Sequence, residues 1–191
     1  MFLAVVPPEH VIEDLDEFLE PRREHASLRW TRPETWHLTL AFLPQVADRD
    51  LDALTESVAV AAQRRRPFVL RFAGAGAFPD VARARVLWTG VETEGEELDR
   101  LARGVRTAVT RVGVETPAER FRPHLTLARS GRPFEGTRVL RVLRTYAGPA
   151  FEATAVALIA SEAGPRGGRR TYRSVEEFRL GTGSDGLEFV D

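Results

Sequence analysis

Cysteine, lysine and asparagine are absent from this 191-residue chain, and isoleucine occurs only at Ile12 and Ile159. Without cysteine there is no disulfide framework, no thiolate metal site and no cysteine nucleophile, so stability rests on packing. All 27 basic residues are arginine, a bias expected of a GC-rich genome. Arginine abundance alone therefore says nothing about phosphate binding; only the position of each arginine is informative. No apolar run approaches the ~18 residues of a membrane span. Met1–Val6 has no basic flank and runs into Pro7 and Pro8, unlike a secretory signal. The expected location is the cytoplasm, with no membrane partner. An excess of one charge is also lacking, because 27 basic and 28 acidic residues leave a net charge of −1. Bulk electrostatics thus select neither nucleic acid nor membrane. With 43% hydrophobic and 29% charged residues, the chain has ordinary globular usage and is not a disordered one.

Strand and helix signals alternate along the chain. Phe2–Val6 reads as a buried strand, and Val11, Ile12, Leu15, Phe18 and Leu19 give Glu9–Glu20 helical spacing. A strand is expected near Trp36–Leu43, then a helix capped by Asp48 with Leu51, Leu54 and Val58 on one stripe. Phe68–Ala73 and Ala84–Val91 read as strands joined by a Gly74–Asp80 loop, and Leu98 to Val112 as a helix closed by Gly113. Pro123–Arg129 (strand), Thr137–Tyr146 (helix), a long β-rich Phe151–Ser161 and a final strand near Tyr172–Leu180 complete the order. The second half repeats the order of the first, which predicts an internal duplication with its boundary near residues 80 to 95. The expected fold class is α+β: residues 1–191 form a single bilobal domain with one cleft, and no linker separates the halves.

The strongest motif is a repeated tetrapeptide. His37-Leu38-Thr39-Leu40 recurs letter for letter as His124-Leu125-Thr126-Leu127. A given histidine is followed by apolar, Ser/Thr, apolar only about once in a hundred cases at ordinary composition. Of the four histidines, two carry it; His10 and His25 do not. On a strand, residues i and i+2 share a face, so each copy buries its leucines and presents an imidazole beside a hydroxyl. A single copy reads most simply as a half-buried strand with an inert histidine. Two copies in related lobes set two imidazoles across one cleft, which suits in-line displacement at phosphorus: one imidazole takes a proton from the nucleophile and the other gives one to the leaving oxygen. A pKa of ~6.5 populates both states near neutrality. Zinc is a weaker reading, since no third ligand stands at metal-ligand spacing and His-x-x-x-His does not occur. Ser130 and Ser161 lie outside any Gly-x-Ser-x-Gly elbow.

At these residues the sequence resembles the 2H phosphoesterase superfamily, defined by two His-apolar-Thr/Ser-apolar motifs. Within it, the closest resemblance is to the RNA 2′,3′-cyclic phosphodiesterases, also called 2′-5′ RNA ligases. The likeness includes Phe2–Pro7, Arg29-Trp30, Phe78-Pro79, Arg85 to Trp88, Arg122 to Arg129 and Tyr172. It implies two pseudo-symmetric lobes of antiparallel sheet with flanking helices around a central cleft. It also implies opening of an RNA terminal 2′,3′-cyclic phosphate to a 2′-phosphate with no metal and no cofactor. On this resemblance His37 is the proton donor to O3′, His124 the proton acceptor from water, Thr39 and Thr126 hydrogen-bond the non-bridging oxygens, and Arg129 binds phosphate. Regular alternation puts Arg129 on the leucine face, so the strand is expected to bend or end there. Trp36 before the first histidine, Pro44 after Phe42-Leu43 and the missing arginine after Met1 depart from the family pattern and bear on the rim.

Between Arg120 and Arg173 eleven arginines face three acids, which reads equally as a groove that tracks a phosphate backbone or as a solvated surface on an arginine-biased chain. Arg132, with Arg129, lies nearest the motif. Phe78, Trp88, Trp30 and Tyr172 include candidates for a base-stacking platform; core or rim packing is the simpler reading of each, and Phe78, in the Gly-rich segment, is the first exception. The expected partners are RNA 3′ ends or small cyclic phosphates, acted on by a monomer. Small cyclic nucleotides, end-joining by the reverse reaction and non-catalytic RNA binding are the competing functions.

Overall fold

The computed structural model describes residues 1–23, 28–118, 120–162 and 170–181. The strands are β1 (Phe2–Val5), β2 (Arg29–Trp30), β3 (Leu38–Phe42), β4 (Phe68–Phe78), β5 (Ala84–Thr93), β6 (His124–Phe134), β7 (Phe151–Ala153), β8 (Ala155–Glu162) and β9 (Thr171–Arg179). The helices are α1 (Glu9–Leu19), α2 (Leu51–Gln63), α3 (Glu97–Arg111) and α4 (Thr137–Leu143). Two sheets form, in the orders β3-β1-β8-β9 and β2-β6-β5-β4-β7, and every pairing is antiparallel. Each helix buries the stripe its spacing predicts: Val11, Leu15 and Leu19 on α1, Leu54, Val58 and Ala62 on α2. One apolar cluster takes in leucines of both motif strands, Leu38, Leu40, Leu125 and Leu127, all 2% exposed or less. Burial on that scale contributes roughly 1.5–3 kcal/mol per leucine.

The duplication is real and carries an exchange of strands. In each half the order is strand, helix, motif strand, helix, strand, and the last strand crosses to the other sheet: β4 pairs with β5, and β8 with β1. The registers match across the two lobes. Ala4 lies opposite Thr39 as Trp88 lies opposite Thr126, and Leu3 opposite Ala41 as Leu87 opposite Ala128. The repeat boundary therefore falls in the turn between Phe78 and Ala84, at the edge of the expected 80–95 interval.

Several boundaries differ from expectation. Gly74–Asp80 is not a loop, because β4 runs through to Phe78. Gly74 adopts φ 64° at a register shift in β4 and donates its N–H to Tyr146 O at 2.9 Å. Gly76 lies opposite Trp88, and a Cβ built there would stand 2.2 Å from the indole. Both glycines serve a bulged strand rather than a turn. Asp48 does not cap α2; it opens a 3₁₀ turn, Asp48–Asp50, that leads into the helix. β6 continues to Phe134, and α4 stops at Leu143. The β-rich segment after Phe151 divides at Thr154, where the chain leaves the second sheet (β7) and joins the first (β8).

The Gly76 contact gives a stability prediction. Gly76→Val is expected to cost about 1–3 kcal/mol through overpacking against Trp88, read as a lower urea midpoint at unchanged m. A midpoint equal to that of the parent would show that the indole does not depend on the glycine.

Candidate active site

Both motif histidines stand where the chain enters a strand, His37 just before β3 and His124 at the first residue of β6. Their backbone anchors are near copies. His37 Nδ1 donates to Thr35 O at 2.7 Å, and His124 Nδ1 donates to Arg122 O at 2.7 Å. A carbonyl can only accept, so each bond fixes the Nδ1–H tautomer and leaves Nε2 for proton transfer. Thr39 and Thr126 follow two residues on, half-exposed between buried leucines. A pocket of about 140 Å³ brings His37, His124, Thr39, Thr126 and Arg129 together, with Thr31, Thr35, Trp36 and Tyr172 completing its wall. It has room for a phosphate group.

A bulge explains how Arg129 reaches this pocket. In the β5–β6 register Trp88 is opposite Thr126 but Leu87 is opposite Ala128, so Leu127 is an extra residue. Leu127 and Ala128 are both buried, at 2% and 0% exposure, and the alternation after them is inverted. Arg129 thereby joins the face of His124 and Thr126; the expected bend at this residue is this irregularity, and the strand does not end. The first lobe does the same at Leu40. There the residue brought to the cleft is Phe42, 48% exposed.

Burial is the first cause holding both imidazoles below the usual histidine pKa. Their Nδ1 bonds to Thr35 O and Arg122 O raise the pKa in part, and the Arg129 charge lowers it at both. His37 is lowered also by His124. Both rings accordingly favour the neutral form near pH 7. An anionic phosphate between them opposes these causes and favours a proton on one ring.

The two sides of the pocket differ. Next to His37 lies a chamber of about 670 Å³ lined by Phe2, Arg29, Trp30, Arg32, Phe42, Ser161, Arg170 and the shared residues Thr31, Thr35, His37, Thr39, Arg129 and Tyr172. Next to His124 lies an apolar shelf of about 320 Å³ formed by Phe78, Trp88, Phe121 and Pro123 with Arg120 and Arg122. Phe2 stacks on His37 at 4.4 Å with an interplanar angle of 24°, and Tyr172 meets His37 edge-on at 5.5 Å. Phe78 meets His124 edge-on at 4.9 Å. A hydroxyl ties the lobes together: Thr31 Oγ1 shares its one proton between the backbone carbonyls of Thr126 (2.8 Å) and Leu127 (2.9 Å) and accepts from the Trp36 indole at 2.8 Å. Trp36, 3% exposed, is therefore a buried brace and not a rim residue.

Of the residues expected at the site, the structure gathers His37, His124, Thr39, Thr126 and Arg129. Phe78 is beside His124 but outside the central pocket. Arg132 lies on the exposed continuation of β6 and lines neither the pocket nor the chamber. The arginine-rich second half does not form the chamber alone: it supplies Arg129 and Arg170, while Arg29 and Arg32 come from the first half. Arg166 and Arg169 lie outside the described residues, as does His25. Motif reasoning does not reach Phe2, Thr31, Phe42, Arg29 or Arg32 as site residues. The signal for Phe42 is the repeat itself, which extends to Ala41 and Ala128, so that Phe42 stands where Arg129 does. Among the described residues no cluster of three or more His, Cys, Asp or Glu stands ready for a metal ion, and no helix is long and apolar enough to cross a membrane.

Known proteins resemble this chain in sequence and in fold. The profile of the LigT-like phosphoesterase family matches residues 5–88 and 90–169. An RNA 2′,3′-cyclic phosphodiesterase of Thermus thermophilus is 33% identical over 186 residues, covering 94% of this chain and 89% of the relative. One of Aquifex aeolicus is 31% identical over 160 residues, covering 80% and 82% respectively. A crystal structure of a Thermus thermophilus protein superposes with TM-score 0.77 at 29% identity, over 96% of this chain and 98% of the other. E. coli LigT complexed with 3′-AMP superposes with TM-score 0.76 at 26% identity, over 94% and 96%. Two exchanged lobes that turn a repeated His-Leu-Thr-Leu toward one pocket are thus the frame of a 2H phosphoesterase, and the chain belongs to the LigT-like phosphoesterase family, whose members are enzymes.

Proposed function

We propose that this phosphoesterase opens a terminal 2′,3′-cyclic phosphate of RNA to a 2′-phosphate, with His124 as general base and His37 as general acid. The observation that carries the reading is the pocket in which two Nδ1-anchored imidazoles flank two threonine hydroxyls and an arginine. The cyclic phosphate occupies that pocket, its non-bridging oxygens toward Thr39, Thr126 and Arg129, where donors meet the charge that develops at phosphorus. His124 Nε2 takes a proton from water as its oxygen bonds to phosphorus. The P–O3′ bond opposite breaks, and His37 Nε2 delivers a proton to O3′, which leaves a 3′-hydroxyl and a 2′-phosphate.

The chamber supports this division of roles apart from the family resemblance. In a cyclic phosphodiester the leaving oxygen belongs to the ribose, so the acid stands on the side where the nucleoside lies. Six residues line both the pocket and the chamber beside His37, whereas the shelf beside His124 shares only His124 with the pocket. Phe42 and Tyr172, at 48% and 38% exposure, are the most exposed aromatic side chains among the described residues, and both line the chamber. An exposed aromatic face holds a base by stacking. The nucleoside is accordingly placed beside His37, and Phe78 on the water side.

The test is incubation of the enzyme in EDTA with a short RNA ending in a 2′,3′-cyclic phosphate, with the product phosphate located by phosphorus NMR. A 2′-phosphate is expected. A 3′-phosphate would contradict O3′ as leaving group, and absence of turnover with the RNA still bound would favour a binding role.

A further inference from the structure

The chamber beside His37 holds more positive charge than one scissile phosphate requires. Arg29, Arg32, Arg129 and Arg170 line it, and among the described residues no aspartate or glutamate does. Only Arg129 also lines the pocket between the histidines; the other three belong to the outer part of the chamber. They converge from β2, from the residue before the 3₁₀ turn Pro33–Thr35, and from the residue before β9.

These charges are poorly compensated among the described residues. Arg29 is register-paired with Arg129 across β2 and β6, and both line the same chamber. Like charges directly opposite on a sheet repel, and neither guanidinium makes an ion pair with a described carboxylate. Arg32 meets Glu34 at 3.2 Å in an exposed pair, a type that contributes little. Arg170 donates to the Ser161 hydroxyl at 2.8 Å, a neutral partner that leaves its charge in place. An anion bound among these groups would relieve the repulsion, and guanidinium forks suit a phosphodiester.

We propose that Arg29, Arg32 and Arg170 form a second anion subsite, which takes the phosphodiester on the 5′ side of the terminal nucleoside. The enzyme then prefers an oligonucleotide ending in a cyclic phosphate to a nucleoside 2′,3′-cyclic phosphate. The inference rests on the placement of the nucleoside beside His37. With the 3′ phosphorus in the inner pocket, the 5′ oxygen at the other end of the ribose points to the outer chamber, where the three arginines wait. Contacts of this kind hold the backbone without reading sequence.

The test compares kcat/KM for the dinucleotide ApA ending in a 2′,3′-cyclic phosphate with kcat/KM for adenosine 2′,3′-cyclic phosphate, at about 50 mM and about 200 mM salt. The parent enzyme is expected to favour the dinucleotide by roughly tenfold or more at the lower salt, and by less at the higher. In Arg29→Gln/Arg32→Gln and in Arg170→Gln the ratio falls toward one. A ratio near one in the parent, or one that survives in these variants, would overturn the subsite, as would its collapse in Arg120→Gln/Arg122→Gln instead. If the parent turns over neither substrate, the proposed reaction fails, and the subsite is then judged by calorimetry with the 2′-phosphorylated dinucleotide and adenosine 2′-phosphate. A tenfold tighter dinucleotide that loses its advantage in the double variant upholds the subsite; equal affinities remove it.

Discussion

Replacing His37 or His124 by alanine is expected to lower kcat/KM for a cyclic-phosphate substrate by about 10²- to 10⁴-fold, the range lost when a positioned general acid or base is removed. The loss should fall on kcat, because each Nε2 acts on a proton that moves only in the transition state. The double replacement should be little worse than the worse single one, since base and acid serve one concerted displacement and their removal is not additive. The structure allows the comparison to be made cleanly. Each imidazole sits at a strand entry and is anchored by a single Nδ1 bond to a carbonyl two residues back, so its loss removes no leucine from the core. Retention of more than about a tenth of the parent rate in the double variant would exclude paired proton transfer by these residues, on the magnitudes above. Inhibition by a chelator would show that a metal takes part.

Arg129→Gln is expected to reduce kcat/KM by about 10²- to 10³-fold, as for loss of a charge-bearing donor at the reacting centre, and to move the pH profile as well. The Arg129 charge lowers the pKa of both histidines. Its removal raises both. The limb that rises with pH, set by deprotonation of the base, therefore moves to higher pH, and the falling limb, set by the protonated acid, moves the same way. Arg129→Lys keeps the charge and should restore the profile while recovering only part of the rate, because an ammonium cannot match the guanidinium fork. A rate loss with an unmoved profile would place Arg129 outside electrostatic reach of the two imidazoles. A shift to lower pH would contradict the lowering of both pKa values by its charge.

Much of this architecture is legible in the sequence because it rests on local periodicity. The stripes of α1, α2 and α3, the alternation in His-Leu-Thr-Leu and the duplication all follow from side-chain spacing. The failures have a common cause, which is that partners distant in sequence override local signals. Gly74 and Gly76 read as loop residues, yet Tyr146 O takes the Gly74 N–H and Trp88 lies across Gly76, so the strand goes on. Arg132 is near the motif in sequence yet lines neither the pocket nor the chamber, because it stands on the exposed continuation of β6. Arg29 enters the chamber because β2 lies against β6, a pairing held by the Thr31 hydroxyl on the Thr126 carbonyl 95 residues away. No composition window could join them.

The sequence by itself determined which chemistry this protein can carry: two histidines with two threonines in matched strands, no thiol, and leucines that commit the opposite face to the core. Only the tertiary structure decided which residues share the pocket and how its two sides differ. The reason is that alternation along a strand is a property of the chain, while a bulge depends on the neighbouring strand. The extra residues Leu40 and Leu127 invert the faces that follow, which brings Arg129 and Phe42 to the cleft. The exchange of β4 and β8 between the lobes then sets Phe78 beside His124, and the β8–β9 pairing sets Tyr172 beside His37. From identical tetrapeptides the fold thus makes two unlike environments, a charged chamber on one side and an apolar shelf on the other.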